Sequence, residues 1–286
     1  MKKKFYSKFK SHLKASLFLT KLFFFRRYKR FHLSFFWTFF PTLSVLVATI
    51  ISSKQLDLKS FGFEIHYTLW VLPAFVIFRS VTESIDVGQK LIQISFLIQR
   101  SLNIKHYQIF LACIFASLII LIFDILLAAG IILFFLEDIN IMHISIYFFF
   151  IIYGILIGTV FSIFFGTASM LIYDLRFISK FLRGFILFCT PIFYIMPRSG
   201  IIEFINKFNP FTYLISSSRE VIIYGVTENV VFTLASFIVV SILTIIFLNK
   251  FKLWIQIINA TLVKGAVGQT YAWYVVFRTK TKNDKR

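Results

Sequence analysis

Asp174-Leu175-Arg176 opens a stretch that closes on Ser216-Ser217-Ser218-Arg219, with Pro191-Ile192-Phe193-Tyr194 and Asn209-Pro210-Phe211 between them. A plain membrane anchor is one unbroken apolar run of about 20 residues. Here charge leads into an apolar run that ends in a proline-tyrosine step, and two short apolar segments follow, split by a proline. Residues 201–224 are too broken for a single spanning helix. The expectation is a pair of short helices in a re-entrant segment at about 198–225, because irregular backbone at membrane depth has to be buried in protein or line a wet cavity.

Composition sets the class. The 286 residues are 58% apolar and 20% aromatic, with a mean hydropathy of +0.83. So much apolar surface does not fit inside a water-soluble core of ordinary size, which makes this an integral membrane protein. Most of the forty phenylalanines sit in apolar runs and read as lipid-facing or helix-packing surface. A net charge of +19 raises nucleic acid as a partner, but an excess of Lys and Arg on cytoplasmic loops explains it more simply. Cys113 and Cys189 fall inside apolar spans, so neither a disulfide framework nor a metal site is expected. The start of the chain, Lys2-Lys3-Lys4 followed by basic and aromatic residues, does not read as a cleaved signal peptide.

Six apolar spans are expected. Residues 1–32 form a basic segment in which Lys10, Lys14 and Lys21 share a helical stripe flanked by Phe18, Leu22 and Phe25 and by Leu13, Leu17 and Phe24. Such a helix suits the membrane interface, either as an electrostatic anchor or as a contact for a partner. Spans follow at about 33–53, from Tyr67 through Arg79, Glu83 and Asp86, at 107–135, at 143–173, from Phe181 to Met196, and at 230–248. Arg79, Glu83 and Asp86 share one face, and Arg79 is expected to pair with Glu83, either to fix packing or to take part in gating. Asp124 is the only charge in the third span, placed for a packing hydrogen bond or for a pathway lining. Residues 88–106 read as a polar loop with a short amphipathic helix permitted in it. Gly154, Gly158 and Gly166 give the fourth span a face for close helix contact. Residues 249–286 form a basic tail.

Charge orients this arrangement. Of the 31 Lys and Arg, 25 fall in the segments that would share a side with both chain ends, and the outside loops hold 5. Both termini are therefore expected in the cytoplasm. The fold class is all-α integral membrane, with six transmembrane helices in residues 33–248, an N-terminal interfacial helix, and a re-entrant external segment between spans five and six.

No Gly-rich phosphate loop, no Ser/His/Asp set and no metal-ligand cluster is spelled in the chain, so neither catalytic nor metal-binding residues are assigned. Arg26-Arg27-Tyr28-Lys29-Arg30 followed by Trp37 and Pro41, together with the order of signals from Asp174 to Arg219, resembles the membrane subunit of type-2 ATP-binding-cassette exporters. The likeness is to those that export lipid-linked polysaccharides such as O-antigen, capsule or teichoic acid, and it covers roughly residues 20–250. It implies a permease of the bacterial cytoplasmic membrane, working as two copies with two nucleotide-binding subunits that carry ATP and Mg. The cargo would be a lipid-linked glycan.

On that resemblance Arg26, Arg27, Tyr28, Arg30 and Trp37 form an inlet for a lipid pyrophosphate. Lys90, Arg100, Lys105, Asp174 and Arg176 contact the ATPase, and Pro191, Tyr194, Asn209, Pro210 and Arg219 form an external gate. Competing expectations are a type-2 exporter of a drug or small lipid and a membrane-embedded transferase acting on a polyprenyl lipid.

Overall fold

The computed structural model describes residues 2–29, 36–53, 65–99, 104–136, 141–172, 174–195, 199–225, 231–235, 237–239, 241–246 and 249–250. Among them the fold is all-α, without a strand. The helices are α1 (Lys2–Tyr28), α2 (Phe36–Ser52), α3 (Tyr67–Gln99), α4 (His106–Phe135), α5 (Ile141–Leu171), α6 (Leu175–Phe188), α7 (Ile201–Phe208) and α8 (Pro210–Tyr224). Three of them, α3, α4 and α5, are long and apolar enough to cross a membrane by length and composition. The expected spans 107–135 and 143–173 correspond to α4 and α5. The first corresponds to α2, whereas the sixth lies partly, and the tail 249–286 almost wholly, outside the described residues.

Helix α3 is the axis of the molecule. Val71, Leu72, Ala74, Val76 and Ile77 are fully buried, as are Ser80 and Ser84, so no side of this segment is left to solvent. A helix enclosed all round can carry hydroxyls only if they are satisfied locally. Ser80 and Ser84 donate to the carbonyls of Ile77 and Ser80 at 2.7 and 2.6 Å. The glycines of α5 allow the close approach: a Cβ at Gly158 would stand 2.3 Å from the Val81 carbonyl oxygen. The small face of α5 is thus taken up against α3 within one chain, rather than left for a second copy. In contrast, α4 keeps Ile119, Ile122, Leu126 and Leu133 on an exposed stripe.

Helix α1 forms as its pattern suggests, with Lys10, Lys14 and Lys21 exposed. Its opposite face does more than rest at an interface. Ser16, Leu19, Thr20 and Phe23 are buried against the bundle, and Thr20 donates to the Ala112 carbonyl at 3.3 Å. His12 meets Gln108 at 2.8 Å.

Two expected boundaries are corrected. The loop assigned to 88–106 is largely helix, since α3 continues to Gln99. Its polar residues hid a buried face of Val87, Leu91, Ile92 and Ser95, spaced at a helical period. The fifth span, expected at 181–196, is instead the 14-residue α6, which begins at Leu175 and ends at Phe188. At 1.5 Å per residue it is about 21 Å long, short of the ~30 Å hydrocarbon core. Proline sets the stop: Pro191 has no amide to donate and disfavours helical backbone at Thr190. Thr190 turns its hydroxyl back onto the Ile186 carbonyl at 2.6 Å. Beyond the bend the chain makes the two short helices that were expected, α7 and α8. Gly225 ends α8 with φ of 76°, where a Cβ would press on the His143 ring.

Candidate functional site

The five residues assigned to a gate come together at the Tyr67 end of α3. Arg219, on α8, is 4% exposed, and its guanidinium carbon lies 3.9 Å from the centre of the Trp70 ring. The same side chain donates to the carbonyls of Pro191 and Ile192 at 2.9 and 3.3 Å. Asn209 caps α8 by accepting from the Phe211 amide at 3.0 Å, with Pro210 in the first turn. Its amide nitrogen donates to the Cys189 carbonyl and the Thr190 hydroxyl, at 2.9 and 3.1 Å. Tyr67 donates to the Phe193 carbonyl at 3.0 Å. Tyr194 lies 3.2 Å from the Phe188 carbonyl oxygen and 3.3 Å from Oδ1 of buried Asn206. The bend after α6, whose backbone has left helical pairing, thus has its carbonyls answered by side chains of α3 and α8. The result is a clasp that closes α8 over the end of α6.

A second cluster sits midway along α3. Arg79 is 3% exposed and approaches Glu83 and Asp124 at 3.2 Å each. It also donates to the Thr38 carbonyl of α2 at 2.8 Å. Asp124 is fully buried, and Thr42 of α2 faces it. The expected Arg79–Glu83 pair is therefore present, and Asp124 completes it from α4. The arrangement pins three helices around one cation. Tyr28 extends the contact to α1 through a 3.0 Å hydrogen bond with Thr38.

Asp86 departs from this group despite its helical spacing. It pairs with Lys90 at 2.6 Å and with Arg183 of α6 at 3.2 Å, and the guanidinium of Arg27 adds its field from α1. One residue from the inlet set and one from the coupling set are therefore joined through a third that had been read with the buried charges. Of the remaining inlet residues, Tyr28 lies beside Arg27, whose guanidinium carbon is 5.8 Å from its ring centre, whereas Arg26 is exposed and Trp37 is 62% exposed, with edge contacts to Phe36 and Phe40 of its own helix. Lys105 and Asp174 are exposed at the starts of α4 and α6, and Arg176 is half-buried in the first turn of α6. Arg30 and Arg100 lie outside the described residues.

Sequence reasoning did not single out Trp70, Tyr67, Thr190 or Asn206 at the clasp, nor Arg183 beside Asp86. Trp70 offered the one available signal, an indole near the start of a span. Compared with known proteins, the chain matches no family model and no curated sequence.

Proposed function

We propose that this chain is the permease subunit of an ATP-driven exporter in the bacterial cytoplasmic membrane, moving a lipid-linked polysaccharide. In this reading two copies form the channel and two separate nucleotide-binding subunits bind ATP and Mg. Both termini are cytoplasmic. Six spans are formed by α2, α3, α4, α5, α6 with its bend, and residues 230–248, with α7 and α8 as the re-entrant external segment.

The observation that carries the reading is the bend at 189–194, buried at Thr190, Pro191 and Ile192. Irregular backbone at membrane depth persists only where protein answers its polar groups. Thr190 and Ile192 are fully enclosed, and Arg219, Asn209 and Tyr67 supply the donors. A rigid anchor has no use for such a joint. A gate does, because a few hydrogen bonds and one cation–π contact hold it shut and can be broken together.

Charge supports the orientation. The exposed lysines of α1 and the cluster at Asp86 lie away from the clasp along α3, which at about 50 Å is longer than the ~30 Å hydrocarbon core. That surplus length gives a partner ATPase a surface to push. The exposed apolar stripe of α4 faces lipid.

Purification of the tagged chain from its native membrane tests the proposal. A second copy and an ATPase subunit in equal amount are expected, with ATP hydrolysis by that subunit. Recovery of the chain without an ATPase, or with catalytic activity of its own on a polyprenyl lipid, overturns it.

A further inference from the structure

We propose that Arg27, Lys90 and Arg183 form a binding site for a phosphate or diphosphate group, with Asp86 as the resident anion that the ligand displaces. Lys90 of α3 and Arg183 of α6 meet on one carboxylate, and Arg27 of α1 adds its charge from beyond ion-pair distance. Lys90 Nζ stands 2.6 Å from one carboxylate oxygen and Arg183 Nη1 3.2 Å from the other, while Arg27 acts on the same group from α1. Three positive charges against one negative leave two unanswered, and a phosphate group carries close to that charge at neutral pH. A phosphate also offers oxygens in the disposition that the carboxylate now fills, plus a third for Arg27.

Unused donors point the same way. Arg27 Nη1 is shut from solvent without a hydrogen-bond partner. Gln89 shares this face of α3, is 7% exposed, and leaves its Nε2 without a partner while its Oε1 accepts from Ser179 of α6 at 3.3 Å. The site is nonetheless open: the Lys90 side chain is 50% exposed, and those of Asp86 and Arg183 are 20% and 23% exposed. A ligand taking Lys90 and Arg183 from Asp86 would also remove the ion pair that ties α6 to α3. Occupancy at this end would therefore loosen the helix whose far end carries the clasp.

The site rests on these side chains, whereas assigning it to a lipid-linked cargo rests on the exporter reading, so the two fail separately. The test uses the full-length chain in nanodiscs of zwitterionic lipid, with inorganic pyrophosphate in solution as one probe and a polyprenyl diphosphate in the bilayer as the other. Phosphorus NMR reads binding. At least one probe is expected to bind, and K90Q/R183Q is expected to weaken it about tenfold or more.

Asp86→Asn supplies the sharper result. Removing the competing anion should tighten binding by about tenfold, a gain that misfolding cannot imitate. Binding of the lipid probe supports site and cargo together. Binding of pyrophosphate alone supports the site and counts against a lipid cargo. Binding of neither probe, an unaffected double variant, or weaker binding by Asp86→Asn overturns the proposal.

Discussion

Arg79 and Arg219 are almost equally hidden from solvent, at 3% and 4%, and the protein answers their charges by opposite chemistry. Arg79 meets two carboxylates and a carbonyl drawn from α2, α3 and α4. Arg219 is held by two backbone carbonyls and an indole face, and the nearest carboxylate named for it, Glu220, acts on it from beyond ion-pair distance. A cation locked between acids cannot leave without stranding charge, so the centre of the bundle is fixed. A cation resting on dipoles and a ring can move to other neutral partners at lower cost. The difference marks the Arg219 end as the part suited to movement.

The largest expected effect tests the fixed half. Arg79→Ala leaves Glu83 and Asp124 together without their cation, and should destabilise the folded state by about 3–5 kcal/mol in a denaturant titration in micelles. Neutralising the whole group, with Arg79→Met, Glu83→Gln and Asp124→Asn combined, should bring the unfolding midpoint back near the original. Buried ion pairs replaced as a unit often cost little. At the other site no such rescue exists. Arg219→Ala should cost about 2–3 kcal/mol through two unanswered carbonyls and the lost ring contact, and no neutralisation elsewhere should restore it. Equal rescue at both positions would erase the distinction.

Smaller effects sharpen it. Asn209→Ala removes a helix cap and the link to Cys189 and Thr190, for a loss of about 1 kcal/mol by the same titration. Faster hydrogen exchange in the bend should accompany it, while the centre of α3 stays protected. Lys90→Gln breaks a half-exposed pair and should change stability by no more than about 0.5 kcal/mol. A larger loss there would mean that the Asp86 cluster is a structural brace.

Local grammar made part of this legible in the sequence. The break between α7 and α8 is spelled by Asn209-Pro210, since a cap and a proline act on their own backbone whatever surrounds them. The long apolar runs gave α4 and α5 for the same reason. Reading failed where a distant element decides. Gln89, Lys90 and Gln93 look like a surface loop, yet Gln89 and Gln93 reach Ser179 and Ser169 on other helices, so α3 runs on. Spacing placed Asp86 with Arg79. Arg79 turned to Asp124, and Arg183, far along the chain, took Asp86 instead. The order of signals that carries the exporter resemblance singles out Pro191, Tyr194, Asn209, Pro210 and Arg219, but the ring beneath Arg219 belongs to α3 and leaves no mark near α8.

An exporter permease of this design has the clasp and the basic α1 on opposite sides of one membrane. In a chain whose Cys113 and Cys189 are replaced by serine, single cysteines at Ser199 and at Lys14, both exposed, can be offered to a membrane-impermeant maleimide in intact spheroplasts. Labelling is expected at position 199 in intact cells and at position 14 only after lysis. Labelling of both positions from the same side would contradict that arrangement.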